Sequence, residues 1–331
     1  MREIIGRVRR RGVKIDIIGA GSLGLLLAGK LIGAGAEVRL WCRSDEQSRA
    51  LEENGITISY EDGQPPVFLP PDKFKSASVN TFAEVYLHDP GDWMAIMVKQ
   101  NALHNEFPQI LLPLKQSKIQ AVCFQNGYGH LELLQELLPQ AAVWAAVTTE
   151  AAKRKTLTEV VHAGRGEICI GKVGDSNTTH GPSSLISFIE TLTAAGFSAS
   201  MSKEVDTMIY RKLLINAVIN PLTAIWRVPN GELLAAEQRI HLMKELYEEA
   251  IAVYEACGIA LESNAWEGIM EVCRVTAGNI SSMLADVLSS RATEIRWING
   301  SIVDMAERSG IDAPQHRWIC RMVEGMLVRE R

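Results

Sequence analysis

The chain has 331 residues, a formal net charge of −5, 47% hydrophobic residues and 22% charged ones. That length suits about two domains and can bury a sizeable core. The composition excludes a disordered or fibrous protein, and the mild acidity argues against a nucleic-acid or anionic-membrane partner.

The N-terminal segment MREIIGRVRRRG carries five arginines and no apolar stretch. It reads as a solvated basic extension over residues 1–12, not a secretory signal. The most apolar run, Ile15 to Ala36, contains Asp16, Lys30 and several glycines, so it predicts strand, turn and helix instead of a membrane span. Residues 13–18 form the strand, 22–34 the helix, and 37–41 a second strand, which together make a βαβ unit. Residues 55–60 and 66–69 flank YEDGQPP as a hairpin. The runs 93–98, 119–124 and 142–148 are further buried strands. The segments 156–162 and 166–170, separated by a glycine-containing turn, predict an antiparallel pair. A helix near 183–195 and a strand at 197–201 end this alternation. From about residue 203 the pattern turns helical, over 204–228, 233–257 and everything after 280. Alternating βαβ units followed by helices alone predict a doubly wound sheet domain, 13–203, and a helical domain, 204–331. The six cysteines are scattered, with no CxxC pair or zinc spacing, which predicts a reducing compartment and no bound metal.

Gly19-Ala20-Gly21-Ser22-Leu23-Gly24 matches GxGxxG between a predicted strand and a predicted helix. In that place the pattern predicts a dinucleotide site, with the pyrophosphate at the helix N-terminus. The second strand ends in Cys42-Arg43-Ser44 with no acid to hold a ribose 2′-hydroxyl. Arg43 can pair with a 2′-phosphate, so the reading is NADP(H), with a flavin or NAD the fallback. Two later strands run into Lys99-Gln100 and Gln125-Asn126-Gly127. Ligands of open α/β sheets lie beyond such strand ends, so Lys99 and Asn126 are candidates for the crevice. The alternatives there are a solvated loop charge and a simple turn.

In the helical half, Lys212, Asn216 and Asn220 recur at a spacing of four and share one helix face. Pro221 should kink or end that helix. Asn230-Gly231 reads as a turn. Asn279 or a following serine can cap the next helix. Ile295, Ile298, Ile302 and Met305 mark an apolar face, with Glu294 beside it at the helix start.

These pieces together resemble the ketopantoate reductase family. The matching segments are GAGSLG, the LWCR strand tip, VKQ, QNGYG, RKLLINAVINPLTAIWRVPNGEL and SSMLADVLSSRATEI. The resemblance implies an α/β Rossmann-type N-terminal domain and an all-α C-terminal domain like that of 6-phosphogluconate dehydrogenase. It implies NADPH-dependent reduction of ketopantoate to (R)-pantoate in pantothenate and coenzyme A biosynthesis, in the cytoplasm. Lys212 matches the catalytic lysine and Glu294 the acid that contacts the substrate hydroxyl. Asn216, Asn220, Asn230, Asn279 and Ser282 match substrate positions; Gly19–Gly24, Arg43, Lys99 and Asn126 match cofactor positions. Ketopantoate is then the small-molecule partner. Oligomeric state stays open, a homodimer through the helical domain among the alternatives. So do a reductase of another bulky 2-oxo acid and a non-enzymatic NADP-binding regulator.

Overall fold

The computed structural model describes residues 12–174 and 182–326; the expected basic arm lies, but for Gly12, outside them. Twelve strands are formed among the described residues: β1 Lys14–Ile18, β2 Glu37–Cys42, β3 Ile56–Tyr60, β4 Val67–Leu69, β5 Lys75–Ser78, β6 Trp93–Ile96, β7 Gln120–Cys123, β8 Ala142–Thr148, β9 Ala151–Arg154, β10 Glu159–Gly164, β11 Glu167–Gly171 and β12 Ser198–Met201. Eight make one sheet in the order β12-β11-β8-β7-β6-β1-β2-β5. From β5 to β8 every neighbour is parallel, and β11 then runs antiparallel to β8. The strand order reverses beside β1, where β2 lies on one side and β6 on the other. Such a reversal opens a crevice at the carboxyl ends of the strands.

Strand β1 is buried throughout. Its one acid, Asp16, faces Arg39 across the β1–β2 register. The guanidinium grips the carboxylate with Nε–Oδ1 2.7 Å and Nη2–Oδ2 2.6 Å, and Trp41 Nε1 donates to the same Oδ1 at 2.7 Å. A buried charge is tolerable only when paired and hydrogen-bonded in this way.

The helix Ser22–Gly33 is apolar on most sides because it is covered on two. The large sheet lies on one side and a second sheet, β4-β3-β10-β9, on the other. That second sheet corrects one expectation. The segments expected to pair with each other belong to different sheets: β10 pairs with β9, and β11 pairs with β8. Arg165-Gly166 carries the chain from one sheet to the other, so the glycine marks a change of layer and not a hairpin. The hairpin expected around residues 55–69 is present as β3 and β4. The helix Asp45–Asn54, which sequence reading passed over, is capped by Ser44, whose side chain accepts from Gln47 N at 3.3 Å.

The C-terminal domain packs around the helix Val205–Trp226. Pro221 neither ends nor interrupts it. Proline lacks the N–H that Ala217 O, four residues back, would accept. Asn299 Nδ2 supplies that bond instead, at 2.8 Å. The same amide nitrogen lies 3.0 Å from His316 Nδ1, and His316 Nε2 lies 3.0 Å from Leu246 O. Burial pushes the His316 imidazole down to about 4, so it stays neutral and donates from Nε2. The expected apolar face of Ile295, Ile298, Ile302 and Met305 is buried in this core.

Candidate active site

The crevice begins at the glycine loop. Gly19 has φ +113°, a conformation that a side chain would strain. A Cβ on Gly24 would stand 1.9 Å from Gly19 O, so the helix can approach the strand only without one. A Cβ on Gly21 would meet nothing within 4 Å and would project into open space. That space is where a pyrophosphate would sit. No side chain caps the helix that begins at Ser22; Ser22 Oγ instead accepts from Arg154 N at 3.1 Å. The first N–H groups of a twelve-residue helix therefore face the crevice with its positive dipole end. These residues fit a dinucleotide. Arg43 lies exposed at the tip of β2 and pairs with Glu106.

The other wall is where the two domains meet. Lys212 is partly buried, and its ammonium donates to Thr148 O, at the end of β8, at 2.7 Å. Burial pushes Lys212 down to about 8, against the opposing field of Glu294. Glu294 is buried just before the helix Ile295–Arg308. Its Oε1 accepts from Gln100 N at 3.0 Å. Burial raises its carboxyl, and the Gln100 bond, Lys99 and Lys212 oppose that rise. An acid and a lysine from distant parts of the helical domain thus sit within each other's field. Lys212, Asn126 and Gly127 line one small cavity together.

Lys99 crosses to the helical domain and reaches both oxygens of buried Asp286 at 2.5 Å. Arg291 Nε reaches the same carboxylate at 3.2 Å. Asn126 O accepts from Gln100 Nε2 at 2.6 Å. Asn216 and Asn220 follow Lys212 by one and two turns of the same helix, Asn216 partly buried and Asn220 buried. One turn beyond them Thr223 Oγ1 donates to Ser281 Oγ at 2.7 Å. Ser281 is the cap of the helix Ser282–Leu288, which leaves Ser282 exposed at its first position. Asn230 and Asn279 meet through the main chain, Asn230 N to Asn279 O, at 3.0 Å. The Asn230 amide nitrogen donates to Thr276 Oγ1 at 2.8 Å while its oxygen stays buried and unpartnered among the described residues, and Asn279 is exposed. The structure therefore brings Lys212, Glu294, Lys99 and Asn126 to one seam between the domains. It ties Asn230 to the loop that carries Asn279.

Sequence reasoning missed Asp286, Gln100 and the Thr148 carbonyl. Asp286 had a signal: it lies four residues after Ser282, on the same face. The Thr148 carbonyl and the Gln100 N–H had none, because main-chain groups are the same at every residue.

The family description "Ketopantoate reductase PanE/ApbA" matches residues 15–175, and its C-terminal counterpart matches residues 204–327. The chain belongs to the ketopantoate reductase family. It is 30% identical over 301 residues to the 2-dehydropantoate 2-reductase of Bacillus subtilis, covering 91% of this chain and 93% of that one. It resembles the crystal structure of a PanE/ApbA family ketopantoate reductase from Ralstonia eutropha JMP134, with TM-score 0.82 and 26% identity, covering 95% of this chain and 98% of that one. It has the fold of a D-mandelate dehydrogenase solved with NADH and anilino(oxo)acetate, with TM-score 0.83 and 22% identity, over 95% of this chain and 98% of that one.

Proposed function

We propose that this chain reduces the 2-keto group of ketopantoate to give (R)-pantoate, with NADPH as reductant, in pantothenate and coenzyme A biosynthesis. The observation that carries the reading is the placing of a partly buried ammonium, Lys212 on Thr148 O, and a buried carboxyl, Glu294 on Gln100 N, within each other's field at the seam between a dinucleotide cradle and a helical domain. Gly19, Ala20, Gly21, Ser22, Leu23 and Gly24 would hold the pyrophosphate, and Arg43 the 2′-phosphate. When bound, the nicotinamide supplies a hydride for the keto carbon.

Lys212 has three N–H donors, and Thr148 O takes one. The others can hold the keto oxygen, stabilise its negative charge and then protonate it. A pKa of about 8 keeps the ammonium charged at neutral pH and still able to release a proton. Glu294, fixed by Gln100 N, would hold the hydroxyl end of the substrate. Asn216 and Asn220 would orient it, Ser282 would bind its carboxylate, and Asn230 and Asn279 would shape the loop around it. Lys99 and Asn126 would complete the cofactor side.

The same reading divides the chain into domains 13–203 and 204–331, places it in the cytoplasm and allows a homodimer through the helical domain. Among the described residues no helix is long and apolar enough to cross a membrane. The test is NADPH oxidation with ketopantoate, beside Lys212→Ala and a panel of other 2-oxo acids. Turnover of ketopantoate that the substitution abolishes is the expected result. Turnover confined to another oxo acid would replace the substrate, and NADPH binding without any turnover would overturn the enzymatic reading.

A further inference from the structure

Strands β2 and β6 flank β1, whose carboxyl end carries the glycine loop. Arg43 follows β2. Glu106 follows the short helix Gln100–Asn105, which begins shortly after β6. The ion pair between their side chains therefore crosses the crevice above the glycine loop. Arg43 is 73% exposed and Glu106 41%, so packing holds neither in place. Their attraction to each other is what joins them.

We propose that Glu106 is a specificity-determining residue of the cofactor site, a carboxylate that competes with the 2′-phosphate for Arg43. The inference rests on the reading of Arg43 given above. Glu106 takes Arg43 Nη2, one of the two nitrogens of the Nε–Nη2 edge, so a phosphate that grips that edge competes with it. A 2′-phosphate on that edge displaces the carboxylate and then remains close to a like charge. A ribose bearing a plain 2′-hydroxyl meets the opposite situation, because a carboxylate accepts from a hydroxyl. Glu106 thus lowers affinity for the phosphorylated cofactor and supports the unphosphorylated one. It supplies from across the crevice the acid that the β2 tip lacks. An exposed ion pair is worth up to about 1 kcal/mol, or roughly fivefold in binding, and repulsion of the phosphate acts in the same direction.

The test is fluorescence titration of the full chain with NADPH, NADH and adenosine 2′,5′-bisphosphate. The proteins are the wild type, Glu106→Gln, Arg43→Ala and the double variant. The expected result is about fivefold tighter NADPH and bisphosphate binding in Glu106→Gln, with NADH unchanged or weaker. Arg43→Ala should weaken NADPH binding and erase the gain in the double variant. The gain in Glu106→Gln should shrink at high salt. If Arg43→Ala weakens NADPH but Glu106→Gln does not tighten it, Glu106 is no competitor and the inference fails alone. If Arg43→Ala leaves the NADPH-to-NADH ratio untouched, the assignment of the 2′-phosphate site falls and the inference falls with it.

Discussion

Two polar stretches of the helix Val205–Trp226 are handled in opposite ways. At Ala217, next to the proline turn, donors are spent: both amide hydrogens of Asn299 are taken, and His316 donates onward to Leu246 O. At Lys212, less than two turns earlier, Thr148 O takes one of three ammonium hydrogens. Buried acceptors are left over in both places, Asn299 Oδ1 in the first and Gln100 Oε1, Gln125 Oε1 and His130 Nδ1 near Lys212, so among the described residues it is the donors that separate the two. The first stretch uses polar groups to repair a backbone. The second keeps hydrogen-bonding capacity in reserve. Buried donors that are spent hold the fold, and buried donors held in reserve mark the candidate site.

Substitutions should separate the two stretches by what they damage. Lys212→Ala removes the proton donor and should lower kcat by about 10²-fold or more, while the melting temperature holds or rises, since a desolvated ammonium is gone. A loss confined to KM would break the contrast. Acid should act on a buried histidine in each stretch. His316 and His130 are held neutral by burial, at about 4 and about 3, against an ordinary value of 6.5. The unfolded chain therefore binds protons first as pH falls. Stability should drop from pH 6.5 downward and keep falling toward 4, by on the order of 2 kcal/mol or more, read by denaturant unfolding across that range. Asn299→Leu should cost about 1–3 kcal/mol in the same assay, because Ala217 O and the His316 ring lose their partner, with kcat changed far less. The last test is the alkaline limb. Activity should fall about tenfold per pH unit above about 8 as Lys212 deprotonates, a limb set by chemistry at pH values where the fold is intact. A flat profile to pH 10 would assign the proton to another group.

The parts legible in the sequence were those that local chemistry dictates. The glycine loop needs particular residues at particular spacings, so Gly19 to Gly24 could be read directly. Helical spacing put Lys212, Asn216 and Asn220 on one helix, as the structure has them, and Glu294 stands where it was expected, just before an apolar stripe. What escaped depended on residues far apart. The pairing of β10 with β9 and of β11 with β8 is decided by which layer each strand covers. The continuation of the helix past Pro221 is decided by Asn299, 78 positions beyond the proline. The clasp between Lys99 and Asp286 joins side chains 187 positions apart. Local pattern carries no record of such distances.

Gly127 lies beside Asn126 with φ +84°, and a Cβ there would stand 2.2 Å from Trp297 O. The next residue, Tyr128, donates its N–H to that same oxygen at 3.1 Å. The two domains are thus fastened main chain to main chain within two residues of Asn126 and three of Glu294. Mechanically such a point would serve as a fulcrum. When one body rocks on another, the parts nearest the fulcrum travel least and the far rim travels most. Any rotation of one domain on the other about this point would move Asn126 and Glu294 least and the outer rim of the crevice most.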